Sequence, residues 1–530
     1  MTGDLTFDAI ITARLVMSSA ADPNPVFVTE DGAHVSPAAF DRMAGQAAAW
    51  LRQQGVARGD RIAVWLPNVT EWMALLFGAA RIGAVVAAVN TRYRTAELHH
   101  ILKSSGAKLL VFESSDRHAD FRAMIDALDR SDLPDLTALA AIDGALPAVQ
   151  GLPVTHCRFD DLDPLPMGEA RASDPVALFT TSGTTSLPKL VLHTQASLAL
   201  HAWNCARAHG FDQPGAEFLA AMPFCGVFGL NACLAAIAGG APVHLLSAFS
   251  VGPALVIAKA ARITHFFGSD EMFRQMWAAD ADALSQARLC GFAAFTPGLG
   301  AVLREMAEAG LPLAGLYGAS EVNALFSIQP QSLPVEQRLQ GGGLPSSGPQ
   351  VQLRVRNPET GELCPDGEAG VLEIRGPTNF AGYFRNPEAT ARVVDAEGWF
   401  TTGDAAYLRG DGTFVYLARN GDFIRLSGFL TDPAEIEEVI ERHPSVTKAQ
   451  VVGVTHKGQT RPVAFVLPAE GSSPDPAGIV EHTAANLAHY KVPVLVIPLD
   501  AFPTTESANG VKIQKAKLRT MAEERLAGGA

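Results

Sequence analysis

Between two apolar runs, Val176–Phe179 and Leu190–His193, the chain carries Thr180-Thr181-Ser182-Gly183-Thr184-Thr185-Ser186, followed by Leu187-Pro188-Lys189. Six of the seven residues in that run bear a hydroxyl. Hydroxyls and the free backbone N–H groups of a glycine-containing turn make a concave donor surface that suits phosphate oxygens. Lys189 adds a point charge at its rim. The pattern GxxxxGK[ST] is absent, so this is not a Walker A loop. A Ser/Thr surface loop is the plain alternative. The two flanking strands and the closing Pro188-Lys189 weigh against it.

Elements that could position such a loop are legible on both sides. RIAVWLPN, from Arg61, reads as a strand ending in a Pro-Asn turn, and the residues from Val69 have helical spacing. VVAAVN is a second strand, TAELHHILKSSG a second helix and AKLLVFE a third strand. Strand–helix–strand alternation with short links predicts a parallel sheet with right-handed crossovers. No GxGxxG follows any of these strands, so a dinucleotide fingerprint is lacking. Alternation resumes from about Pro175 to Tyr317, with a helix in QASLALHAWNCARAHG and another in EMFRQMWAA. From about Gly348 to Arg419 the period changes to two, with turns at NPETG and Gly410-Asp411-Gly412, which predicts antiparallel sheet. Beyond Arg419 strands and helices alternate again, starting from a helix opened by Pro433.

Composition bounds the rest. At roughly 100–200 residues per domain, 530 residues make about three to five structural units. The formal charge is −14, and an acidic chain with no basic block is a poor nucleic-acid binder. The six cysteines show no CxxC spacing, so neither a disulfide framework nor a zinc module is expected, and most are read as small buried hydrophobes. Leu230–Leu246 comes nearest to a membrane span, but Asn231, Gly239, Gly240, Pro242 and His244 break it. The first ten residues do not read as a signal peptide. These features predict a soluble enzyme of a reducing compartment, hence a cytoplasmic one.

The hydroxyl run with its sequel, TTSGTTSLPKLVLHT, resembles the phosphate-binding loop of the adenylate-forming superfamily, and further segments match in order. Leu316-Tyr317-Gly318-Ala319-Ser320-Glu321 is similar to that family's Tyr-Gly-x-Thr-Glu segment. Gly398 to Asp404 is similar to its Gly-Trp-x-x-Thr-Gly-Asp segment. Ala418-Arg419 through Ile436-Glu437, with Asp422, Ile424 and Gly428, resembles its hinge region, and Gly510-Val511-Lys512-Ile513-Gln514-Lys515 its C-terminal lysine segment. Val89 to Tyr93 resembles the N-terminal half. The likeness spans nearly the whole chain. It implies an α/β fold: a large N-terminal domain, 1–419, of doubly wound parallel sheets with a β-rich subdomain, and a small mobile α+β C-terminal domain, 420–530.

The resemblance also implies a two-step reaction. A carboxylate attacks the α-phosphate of ATP, giving an acyl-adenylate and pyrophosphate, and the thiol of CoA then displaces AMP. Two anions that must approach need positive charge between them. Lys512 is the candidate bridge, acting with Glu321 and Thr185 as the catalytic set. Mg²⁺ is expected on Glu321 and Thr184, since it takes oxygen ligands and phosphates. Thr181, Ser182, Gly183, Thr184, Thr185 and Lys189 are expected around the phosphates. Tyr317 is assigned to adenine, Gly318 and Ser320 to the nucleotide site, Asp404 to the ribose hydroxyls, Arg419 to the ribose or a phosphate, and Gly428 to the second half-reaction. For each there is a plain alternative: a helix-capping Glu321, a turn Asp404, a hinge-surface Arg419, a core Tyr317, a solvated Lys512.

Some positions depart from the family pattern. Ser186 stands where glycine is usual, Ser320 replaces threonine, and Phe295-Thr296-Pro297 occupies the place of a Gly/Ala-rich adenine segment. Leu219–Ala235 holds no charged residue, and Val322, Ala324, Leu325 and Phe326 are apolar, with Asn323 the exception. A pocket without a cation offers nothing to a second carboxylate. Gly226, Gly229, Ala232 and Ala319 are expected to leave volume for a tail. The reading is an acyl-CoA synthetase acting on an apolar monocarboxylic acid, fatty or aryl, with a homodimer as the expected assembly. Its rivals are an enzyme that loads a carrier-protein phosphopantetheine and a catalytically silent nucleotide-binding protein.

Overall fold

The strand Arg61–Trp65 is almost wholly buried, flanked in parallel by Val85–Ala88 on one side and Leu109–Phe112 on the other. β-branched and apolar residues with no alternation are what a strand covered on both faces requires. The computed structural model describes residues 5–17, 24–115, 120–144, 146–181, 188–295, 299–358, 360–419, 424–426, 429–431, 433–456, 459–487, 489–507 and 510–528. It divides into two compact units, one of Met1–Ala294, Val302–Gln352 and Arg375–Phe400, the other of Phe295–Ala301, Leu353–Ile374 and Thr401–Ala530.

The first unit holds a nine-stranded sheet in the order Gly382–Tyr383, Leu190–Thr194, Pro175–Thr180, Val85–Ala88, Arg61–Trp65, Leu109–Phe112, Ala138–Ala141, Leu152–His156, Leu146–Val149. Its centre is parallel, as the alternation predicts, but both margins are antiparallel. Pro175–Thr180 and Leu190–Thr194 pair as a hairpin, and Gly382–Tyr383 joins antiparallel beyond it. The short link between the two long runs decides this, since a parallel pair needs a crossover of a dozen residues or more. A second sheet runs through Leu313–Tyr317, Leu289–Ala293, His265–Ser269, Phe218–Ala220 and Val243–Leu245, all parallel, with Ser327–Ile328 antiparallel on the Leu313–Tyr317 edge.

Two helices of this unit are apolar nearly all round, the pattern of a fully enclosed helix. Thr70–Ile82 buries every residue from Trp72 to Ile82, and Val227–Gly239 buries all of its residues. The second covers most of the charge-free stretch and corrects one expectation. A Cβ on Gly229 would strike the carbonyl oxygens of Pro223 and, at 2.5 Å, Met222. That glycine leaves no room for a ligand; backbone already fills the space.

The second unit carries antiparallel strands Phe400–Leu408 and Phe414–Arg419, then a small three-stranded sheet of Val446–His456, Gln459–Pro468 and Leu495–Pro498. Both faces of that sheet are buried. Ala449, Val451, Ala464 and Val466 pack with Ile436, Ile440 and Ile479, while Val452, Val454, Val463 and Phe465 pack with Leu518 and Ala522. Period-two alternation sends neighbouring valines to opposite cores. The helix Pro433–Glu441 is the one expected to open at Pro433, and Pro476–Asn486 and Lys515–Gly528 continue the alternation of strands and helices.

Five of the six cysteines are buried and all are free thiols, with Cys364 half-buried. Among the described residues no helix is long and apolar enough to cross a membrane.

Candidate active site

The mouth of the hydroxyl-rich run is closed by the hairpin that frames it. The Thr181 N–H donates to the Lys189 carbonyl at 3.0 Å, and the Lys189 N–H donates to Thr181 Oγ1 at 3.1 Å. Ser182, Gly183, Thr184 and Thr185, with Ser186 and Leu187, lie outside the described residues. Just before the mouth, Thr180 Oγ1 is 2.9 Å from the Tyr93 hydroxyl. Burial and this hydrogen bond act oppositely on Tyr93, and burial wins, raising its pKa.

Glu321 is delivered to the same hairpin by a short 3-10 turn, Ser320–Val322, at the end of the buried strand Leu313–Tyr317. The turn is held from several directions. Ser320 Oγ donates to the Thr180 carbonyl at 3.4 Å, and His193 Nε2 donates to the Ser320 carbonyl at 2.7 Å. His193 is fully buried, and desolvation pushes its pKa down to about 4. It is therefore neutral near pH 7, with Nε2 carrying the proton because its partner can only accept. The Phe380 N–H donates to the Glu321 carbonyl at 2.8 Å.

The carboxylate itself accepts from the hydroxyl of Tyr383, at 2.8 Å to Oε1. The ammonium of Lys189 stands 4.7 Å from the centroid of the same tyrosine ring, a cation–π contact. Tyr383 comes from the short strand paired with Leu190–Thr194, opposite Val191. One hairpin and one turn thus place Lys189 and Glu321 against a residue the sequence reading did not single out. Its signal was weak but present. Tyrosine occurs only six times in the chain, and the pair Gly382-Tyr383 stands just ahead of a helix start at Asn386-Pro387.

Past Glu321 the backbone is strained. Asn323, Ala324 and Leu325 all have positive φ, at 69°, 34° and 44°. Non-glycine residues there cost on the order of 1–3 kcal/mol each and persist only when the surroundings over-determine them. The surroundings do so here. Asn231 Nδ2 donates to the Asn323 carbonyl at 2.6 Å, Asn323 Nδ2 to the Thr378 carbonyl at 2.7 Å, and the Ala324 N–H to the Ala319 carbonyl at 3.0 Å. The folded-back chain presses on Gly318, where a Cβ would lie 2.5 Å from Ala324 Cα. Tyr317 is 5% exposed, and its ring meets Phe326 edge-on.

Asp404 and Arg419 belong to the second unit. They face each other as register partners in the antiparallel pair Phe400–Leu408 and Phe414–Arg419, and Asp404 is 4% exposed. Gly403 before it takes the left-handed φ of 74° that the turn needs. The backbone of Lys512 lies in the strand Gly510–Ile513, opposite Thr505 of Thr504–Ser507. Gly428, Gly421, Asp422, Thr296 and Pro297 lie outside the described residues.

A family model described as AMP-binding enzyme matches residues 17–384, and one described as AMP-binding enzyme C-terminal domain matches residues 435–509. The chain is 31% identical over 516 residues to a feruloyl-CoA synthase of Amycolatopsis sp, covering 95% of this chain and 97% of that one. It is 32% identical over 495 residues to 4-coumarate–CoA ligase 2 of Oryza sativa subsp. japonica, covering 89% and 85%. The crystal structure of ATP-bound MatB from Rhodopseudomonas palustris superposes with a TM-score of 0.80 at 26% identity, covering 98% of this chain and 99% of that one.

Proposed function

The chain belongs to the AMP-binding enzyme family and is of the adenylate-forming acyl-CoA-synthetase type, and on that premise we propose that it converts an apolar monocarboxylic acid to its CoA thioester. The acid carboxylate attacks the α-phosphate of ATP, the bond to the pyrophosphate leaving group breaks, and acyl-AMP forms. The CoA thiol then adds to the acyl carbon, AMP leaves with the bonding pair, and the thiol proton is released. The observation that carries this reading is the turn Ser320–Val322 docked on the mouth of the hydroxyl-rich run, with Glu321 beside Lys189 across one phenol ring.

The site fits Mg²⁺ in one particular way. Among the described residues no three His, Cys, Asp or Glu side chains cluster as a metal cage. Glu321 offers a single carboxylate, which matches a cation held by one or two carboxylates and the substrate's own phosphates. Glu321 and Thr184 are assigned to it, and its charge would offset that of the phosphates. Lys189 and the residues Thr181 to Thr185 hold the β- and γ-phosphates. Asp404 accepts from the ribose hydroxyls, and Arg419 flanks it. Gly318, exposed, offers adenine its backbone, and Tyr317 borders the base. Lys512, from the domain assigned to 420–530, bridges the carboxylate and α-phosphate in the first step. It is displaced in the second, when the Gly428 face is presented to CoA.

Charge-free Leu219–Ala235 supports a neutral tail. The names of the two relatives, feruloyl-CoA synthase and 4-coumarate–CoA ligase, favour an aryl acid over a fatty one. The test is a panel of fatty, aryl and dicarboxylic acids offered with ATP and CoA, reading pyrophosphate and thioester together. An aryl monocarboxylate should lead. A dicarboxylate in first place would sink the pocket assignment, and thioester formed only with a carrier protein would replace CoA as acceptor.

A further inference from the structure

Tyr383 touches both ionic groups of the proposed site, and nothing in the two-step chemistry requires a phenol there. Its hydroxyl donates to Glu321 Oε1 at 2.8 Å, and its ring face carries the Lys189 ammonium 4.7 Å from the centroid. It is 7% exposed and well anchored. Its N–H donates to Thr390 Oγ1 at 2.9 Å, its ring packs on Phe380 at 5.1 Å between centroids, and Gly382 pairs with Leu192 in the sheet. A side chain fixed on that many sides can fix others.

Resting on the reading of Glu321 and Lys189 given above, we propose that Tyr383 is a positioning residue that sets the metal-binding carboxylate and the phosphate-binding ammonium at a fixed offset from each other. A carboxylate and an ammonium on either side of one ring gain by collapsing into an ion pair. Each would then be half-neutralised before substrate arrives. The phenol separates the two tasks. Its hydroxyl satisfies one carboxylate oxygen with a charge-assisted hydrogen bond, which orients the second oxygen. Its π-face holds the ammonium without supplying a negative charge. Both groups remain ionic and aimed when the phosphates and their cation enter, and no reorganisation is needed at that moment.

The two halves of the side chain can be removed separately. Tyr383→Phe deletes the hydroxyl and keeps the ring; Tyr383→Leu deletes both. Each is made in the full chain, alone and with Glu321→Gln. Two quantities are read: the Mg²⁺ concentration giving half-maximal pyrophosphate release, and the calorimetric affinity for a non-hydrolysable ATP analogue with and without Mg²⁺. Tyr383→Phe should raise the half-saturating Mg²⁺ about 5- to 20-fold and weaken the Mg²⁺-analogue complex, while metal-free affinity stays within about twofold. Tyr383→Leu should add a loss of about 3- to 10-fold in metal-free affinity, because Lys189 loses its seat. In the Glu321→Gln background, Tyr383→Phe should add less than about twofold, since the hydroxyl acts through that carboxylate. A Tyr383→Phe enzyme with unchanged Mg²⁺ response overturns the proposal. So does an equal further loss in the Glu321→Gln background, or identical behaviour of Phe and Leu variants in both readouts, which is the mark of packing alone. If Glu321→Gln itself leaves the Mg²⁺ response intact, the site reading fails first and takes this proposal with it, a signature distinct from the others.

Discussion

Around Glu321 the backbone is held from every side: by the hairpin of Thr181 and Lys189, by a buried neutral histidine, by the Phe380 N–H, and by three strained residues locked through Asn231 and Asn323. Lys512 lies in a different setting. The strand Gly510–Ile513 pairs with Thr504–Ser507 in a two-stranded sheet, and the helix Lys515–Gly528 follows at once. A two-stranded hairpin is marginal by itself and relies on what packs against it. Here Ile513, Leu518 and Ala522 supply the anchor. One charged group therefore sits in a frame that stores strain, the other on a two-stranded hairpin whose Ile513 packs on the core of the small sheet. The roles proposed above fit that contrast: a carboxylate that serves both nucleotide binding and the first step would gain from the first arrangement, and a lysine needed for one half-reaction only would gain from the second.

The largest expected effect breaks that contrast at the Lys512 hairpin. Lys512→Ala should slow acyl-adenylate formation by about 10³-fold, the range for removing a charge aimed at the transition state. CoA transfer from supplied acyl-AMP should stay within about twofold. Single-turnover kinetics of each half-reaction checks this. Equal slowing of both steps would make the lysine structural or shared. Next comes the frame: Glu321→Ala should cost adenylation about 10²-fold and weaken its Mg²⁺ dependence. Unchanged kcat at saturating Mg²⁺ would remove Glu321 from the site.

A smaller effect tests whether the frame's strain matters. Gly318→Ala places a methyl 2.5 Å from Ala324 Cα, backbone that cannot swing aside as a side-chain end could. Overpacking of this kind costs about 1–3 kcal/mol. It should push the strained turn outward and raise KM for ATP more than it lowers the melting temperature. An enzyme with wild-type KM and a lower melting temperature would make the turn a structural feature alone.

Legibility followed the same division. The parallel centre of the nine-stranded sheet was readable because each strand is an unbroken apolar run and each link a helix at period 3.6. The hydroxyl run and Glu321 were singled out from the sequence because their residue types and order match a family's segments, and the structure sets Glu321 beside the hairpin that bears Thr181 and Lys189. His193 and Asn231 were not, and Tyr383 only faintly: each makes a hydrogen bond to a partner more than 60 positions away, and no local spacing records that. The volume expected at Gly229 failed for a related reason. A missing side chain in the sequence shows where something comes close, and here it was the chain's own carbonyls rather than a substrate. The strain at Asn323–Leu325 was also invisible, since only asparagine among the three is a customary left-handed residue.

The smallest predicted effect isolates the histidine beneath the frame. Burial lowers His193 to about 4, and His201, His209 and His265 of the same unit to about 3, 3 and 4, with desolvation the leading cause in each. Unfolding returns an imidazole to about 6.5. Between pH 6.5 and about 4 the unfolded chain therefore binds more protons than the folded one. Stability then rises with pH, being complete above about 6.5 and lost progressively as pH falls toward 4. For His193 the change from pH 7 to pH 5 amounts to roughly 2 kcal/mol. His193→Gln keeps a donor for the Ser320 carbonyl but cannot titrate. Its melting temperature should fall less between those two pH values than that of the parent, by roughly 2–3 °C in a unit of this size. Equal falls would show that His193 protonates freely in the folded protein. The added proton would go to Nδ1, leaving the Nε2–H bond to the Ser320 carbonyl in place, and the histidine beneath the frame around Glu321 would then sit in a wetter setting than its burial implies.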